Sequence, residues 1–132
     1  MAEHPHGVIV RDAIEAMNRG DIDTATANWT DDVFWHEQTG TWSLAGTYEG
    51  KAAVLKFLSD RQALGLTSME VHVHDILAND HHVVVLANVH VARGKTKLEV
   101  SEIQVFDVKD GKIFGIIVTS EDPAAYDAFW AA

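Results

Sequence analysis

Residues 31–50 read DDVFWHEQTGTWSLAGTYEG. The stretch opens on two aspartates, runs as a strand over 33–37, crosses a loop carrying Gly40, Trp42 and Gly46, and enters a helical segment at Gly50. Alternate side chains of a strand share a face. Trp35 and Glu37 therefore share one face, and Phe34 and His36 the other. A carboxylate beside a tryptophan on an inward face is costly unless it has a partner or a task. If that face is inward, this strand is a cavity wall.

Upstream, residues 1–7 contain Pro5 and Gly7 and read as a loose end. Over 8–19, Val10, Ile14 and Met17 recur on one helical face. Gly20 stops that helix, and Asp21 is a good N-cap for a second, short one. Ile22, Ala25 and Trp29 fall on one face of the second helix, and Asp31 and Asp32 end it. Downstream, a third helix spans about 50–64, with Val54, Phe57, Leu58 and Arg61 on its buried face and Arg61 at the margin.

The remainder is strand-rich. Residues 69–78 and 82–92 are dense in β-branched side chains and flank Asn79-Asp80. A further strand covers 95–108, and Asp110-Gly111 signals a primed hairpin turn into a last strand over 112–119. Pro123 then opens a short tail in which Tyr126, Phe129 and Trp130 need burial. This order predicts an α+β fold, with three N-terminal helices packed on a strongly curved, mainly antiparallel sheet. A sheet curled around helices leaves a cone-shaped cavity, a usual place for small molecules.

The 132 residues suit one domain spanning 1–132, and 47% apolar composition is ordinary for a packed chain. No apolar run is long enough to predict a membrane span, and the N-terminus lacks the pattern of a signal peptide, so a cytoplasmic location is expected. The absence of cysteine excludes disulfides, thiolate metal sites and a cysteine nucleophile. A net charge of −10 argues against nucleic acid or an anionic membrane as partner.

Four stretches carry a resemblance: AIEAMNRGDIDTATANWTDDVFWHE (13–37), LAGTYEGKAAVLKFL (44–58), EIQVFDVKDGKI (102–113) and DPAAYDAFW (122–130). In these the chain resembles the nuclear transport factor 2-like superfamily, in its SnoaL-like and ketosteroid-isomerase-like branches. The resemblance implies a cone-shaped α+β barrel, a dimer through the outer sheet face, and no cofactor. It also implies one of several outcomes for function: an isomerase, a cyclase, a dehydratase, an epoxide hydrolase, or no chemistry. By alignment on Asp31-Asp32, Glu37 falls where the isomerases carry a general base. By alignment on Phe106 and Asp110-Gly111, Gln104 falls where they carry a protonated aspartate. Their oxyanion tyrosine falls on Ala13, which has no hydroxyl.

The candidate catalytic residues are thus Glu37, Gln104 and His36. Desolvation beside Trp35 would make Glu37 a stronger base, or an acid; at a hydrated rim, or paired with Arg61, it would be unremarkable. Glu102 and Gln104 share a strand face with Leu98, Val100 and Phe106, as a cavity lining or an inner polar network would. His36 has the wrong parity, and reaches the mouth only if the strand twists at its end. Trp29, Trp35, Trp42, Tyr48, Phe57, Glu102, Phe106 and Ile116 are the candidate lining, though most also suit a core; Trp42, in a loop, suits a lid. His72, His74 and His90 match no metal-ligand spacing and belong on the outer sheet face, so no metal is expected. The expected occupant is a small hydrophobic carbonyl or polyketide-like compound. The expected activity is cofactor-free acid–base chemistry, with a ligand-binding or structural dimer domain as the alternative.

Overall fold

The computed structural model describes residues 3–132. Helix α1 (Pro5–Asn18) begins earlier than the sequence pattern implies, because Pro5 occupies the first helical turn, where its missing N–H costs nothing. Residues 3 and 4 precede it, and the first two residues lie outside the described chain. Gly7 is buried where α1 crosses Ile76 and Ala78. Helix α2 (Ile22–Ala25) is a single turn capped by Asp21, whose carboxylate accepts from Thr24 N at 3.2 Å. Trp29 does not belong to it. It starts strand β1 (Trp29–Glu37), which therefore includes the exposed Asp31 and Asp32.

The loop after β1 ends sooner than expected, in a short strand β2 (Gly46–Glu49) that pairs back on β1. Helix α3 (Lys51–Ala63) buries Val54, Phe57, Leu58 and Arg61, as its periodicity predicts. Strands β3 (Ser68–Ala78), β4 (His82–Arg93), β5 (Thr96–Lys109) and β6 (Lys112–Ser120) follow as antiparallel neighbours. The β5–β6 turn is made by Asp110 and Gly111, both at positive φ (52° and 76°), the geometry that a two-residue hairpin needs. Helix α4 (Pro123–Ala131) turns the tail into a fourth helix that buries Tyr126, Phe129 and Trp130.

All six strands form one sheet in the order β2-β1-β6-β5-β4-β3. Among the described residues only β1 and β6 pair in parallel. The sheet does not close, so the expected α+β cone is walled by strands on one side and by helices on the other. Register shifts between Trp29 and Phe34, Val73 and Asp75, and Asp107 and Val108 mark where strands bend. On the inner face Val83, Val85, Val89, Val108, Ile113 and Ile116 meet Val10, Val54 and Phe57 from the helices. No helix among the described residues is long and apolar enough to cross a membrane.

Candidate functional site

Cross-strand register builds the site in rows. Trp35 of β1, Ile116 of β6 and Phe106 of β5 lie side by side across the sheet. One step along, Glu37, Val118 and Gln104 form the next row, with Glu102 two residues before Gln104 on the same face. Inward side chains here are apolar except for these three and Ser120, which pairs opposite Glu102; all are buried, and Glu37 and Glu102 are each 2% exposed. Across from them α3 contributes Arg61, and α4 contributes Tyr126. The space between is a cavity of about 270 Å³. Ala13, Ile14 and Met17 of α1 line it opposite the sheet, and Thr67, Ser68 and Met69 line it where β3 begins.

Each carboxyl has one satisfied oxygen. Trp35 Nε1 donates to Glu37 Oε1 at 2.9 Å, and Gln104 Nε2 donates to Glu102 Oε1 at 2.9 Å. The Oε2 atoms of both glutamates have no partner in the protein. Burial raises the Glu37 pKa above the ordinary carboxylate value, against the opposing pull of the Trp35 N–H and the Arg61 charge. Burial pushes Glu102 up to about 7; the Gln104 hydrogen bond opposes this, the neighbouring Glu37 charge adds to it, and Arg61 opposes it. The charge of Glu37 bears directly on Glu102, so the two carboxyls titrate as a pair. Tyr126 is held protonated by burial and by both glutamate charges. The cavity therefore offers a desolvated base, an acid that retains a proton near neutrality, an amide and a phenol.

The family model for the SnoaL-like domain matches residues 10–116. The chain belongs to the SnoaL-like domain family. This agrees with the resemblance to the nuclear transport factor 2-like superfamily. An uncharacterized protein of Mycobacterium tuberculosis is 32% identical to this SnoaL-like chain over 126 residues, covering 93% of this chain and 94% of the relative. Three solved structures share the fold. Bal32a, from a soil-derived mobile gene cassette, has a TM-score of 0.86 at 24% identity and covers 96% of each chain. TerC, co-crystallized with polyporic acid, has a TM-score of 0.85 at 21% identity, over 98% of this chain and 100% of TerC. An LEH-like epoxide hydrolase from M. tuberculosis has a TM-score of 0.70 at 21% identity, over 95% and 86%.

Of the candidates named from the SnoaL-like sequence, Trp29, Trp35, Glu37, Glu102, Gln104, Phe106 and Ile116 meet in the cavity. His36 does not join them: it stays on the opposite face of β1, its ring tilted against Phe34 and hydrogen-bonded through Nδ1 to Thr47 Oγ1 at 2.6 Å. Trp42, Tyr48 and Phe57 stand outside the lining and form a packed layer behind it. Trp42 is no lid; it is buried and stacks on Trp130 with ring centroids 4.6 Å apart. Tyr48 packs on Phe57 and donates to Leu44 O. His72 and His90 lie on the outer face beside Glu70 and Glu99. Two lining residues carried weaker sequence signals. Arg61 read as the margin of a helix face and Tyr126 as tail packing; a charged residue at a buried helical position was the available clue.

Proposed function

We propose that this SnoaL-like chain performs cofactor-free proton transfer on a small hydrophobic carbonyl compound of polyketide-like character. The observation that carries the reading is the pair of buried carboxyls in one cavity with different surroundings. Burial raises the pKa of both; at Glu37 the Trp35 N–H and the Arg61 charge oppose it, while at Glu102 the Glu37 charge adds to it and a proton is kept to about pH 7. Glu37 removes the proton next to the carbonyl. Protonated Glu102, with Gln104, holds the oxygen as it gains charge. Trp29, Trp35, Phe106 and Ile116 supply the apolar walls. TerC, co-crystallized with polyporic acid, supports a small organic occupant for a cavity of this fold.

The test is deuterium exchange at the carbon next to the carbonyl of β-tetralone, followed by NMR in heavy water. The protein should accelerate exchange, and Glu37→Gln should remove most of that acceleration, about a hundredfold or more. Tetralone that quenches tryptophan fluorescence but exchanges no faster than in buffer would replace this reading with binding without turnover. Ala13 favours that second reading, because it puts no hydroxyl where the resemblance implies an oxyanion donor.

The same reading takes the protein to be a homodimer joined through the outer sheet face. Leu77, Val84, Val105 and Ile117 form a cross-strand row there, with Leu86 and Ile103 beside it. Leu77 is 56% and Ile103 44% exposed.

A further inference from the structure

Proton transfer uses Arg61 only through its charge on the glutamates and leaves its buried Nε donor without a partner. Arg61 stands in the last turn of α3, is 8% exposed, and holds its guanidinium carbon 5.5 Å from the Phe57 ring centroid. Its Nε has no hydrogen-bond partner, and the ion pairs among the described residues do not include it. A buried guanidinium without a partner is unfavourable by several kcal/mol, and its planar fork of donors matches a carboxylate.

The charged and titratable groups around it come from every side. Glu37 stands on β1 and Glu102 on β5, with Tyr126 on α4 and Tyr48 on β2 near Glu37. The lining from α1 and α2 is apolar apart from the Asn18 amide. On α3 itself, Lys56 and Asp60 pair with each other at the surface. Arg61 acts on both glutamates through its charge, yet bridges neither.

From this geometry we infer that the cavity takes a hydrophobic carboxylic acid, its carboxylate received by Arg61 and its rings by the Trp29, Trp35 and Phe106 wall, and that the Glu37–Glu102 pair takes up a proton from solvent as the anion enters. The inference rests on the cavity described under Proposed function and narrows its substrate class. Proton uptake follows from charge balance. Two glutamate carboxylates and a ligand carboxylate around one guanidinium would leave uncompensated negative charge in a desolvated space, and protonating one glutamate relieves it.

The experiment is calorimetric titration of naphthylacetate and of its neutral isostere naphthylacetamide, in phosphate and in Tris buffer, on the native chain and on Arg61→Met. Methionine keeps an unbranched stem against Phe57. The carboxylate should bind tighter than the amide by roughly ten- to a hundredfold. Above pH 7, where Glu102 of the empty cavity has lost its proton, the binding heat should differ between buffers in the sense of proton uptake, and the affinity should fall as pH rises further. In Arg61→Met the preference should vanish while amide binding persists, which shows that the variant is folded. Equal binding of acid and amide by the native chain overturns the inference. So does a preference that survives Arg61→Met, absence of proton uptake, or failure of both compounds to bind. Acid preference without tetralone exchange would leave this inference standing and end the catalytic reading; exchange without acid preference would do the reverse.

Discussion

Glu102 ionises against the fold. Its pKa is raised by burial to about 7, whereas an unfolded glutamate titrates near 4.3. An acid with a raised folded value contributes stability that is fully present below the unfolded value and is lost as pH rises to the folded one. This chain should therefore lose stability between about pH 4.3 and 7. Glu102→Gln keeps the shape and an acceptor for Gln104 but removes the ionisation. Urea denaturation should find the variant more stable than the native chain by about 1–3 kcal/mol at pH 7.5 and little different at pH 4.5. An equal offset at both pH values would mean that the carboxyl is not the titrating group. At this scale strand parity made much of the site legible: Glu37, Trp35, Glu102, Gln104 and Phe106 share inward faces because successive side chains alternate. Parity also set His36 on the other face; it stood among the catalytic candidates only through a twist at the strand's end, and the structure leaves it beside Phe34 and Thr47. Parity is silent on what stands across the cavity, which is why Arg61 and Tyr126 went unassigned.

At the scale of elements, the α1–β3 contact shows how the helical wall is held to the sheet. Strand β3 is an edge, and Val71 turns its free N–H and C=O outward. Asn18, in the last turn of α1, uses its amide as a substitute strand: its Nδ2 donates to Val71 O at 3.0 Å, and its Oδ1 accepts from Val71 N at 2.9 Å. Asn18→Ala should cost about 1–2 kcal/mol and speed hydrogen exchange at the Val71 amide, while the β4 amides of the sheet interior stay protected. Unchanged Val71 exchange would show that the link carries no load. Most element boundaries followed local chemistry, as at the Asp21 cap, the Asp110-Gly111 turn and the buried face of α3. The exceptions share a cause. Trp29 has helical spacing from Ile22 and Ala25, yet pairing opposite Ile113 of β6 draws it into β1. Residues 46–49 have no strand alternation of their own and become β2 because β1 offers a free edge. In both cases a partner distant in sequence overrode a local pattern.

At the scale of the whole molecule, an open six-stranded sheet leaves one face on the cavity and the other uncovered. That outer face carries an apolar middle between two polar ends, Glu70, His72, His90 and Glu99 at one and His82 and Asp107 at the other. A self-complementary contact between two copies would bury the middle and keep the ends wet. Light scattering should give a dimer mass for the native chain and a monomer mass for Ile103→Asp, with the circular dichroism of the fold retained. A monomeric native chain would remove the dimer from the proposal. The sequence by itself determined most of the elements, the faces they bury, and the family to which the chain belongs, because periodicity and turn chemistry are local properties of the backbone. Only the tertiary structure decided which buried groups meet. The parallel β1–β6 pairing sets Glu37 in the row of Gln104, and α3 and α4 bring Arg61 and Tyr126 across to them. Whether a carboxylate beside a tryptophan is rim, core or chemistry depends on desolvation and on charges arriving from other elements, and those are properties of a three-dimensional neighbourhood.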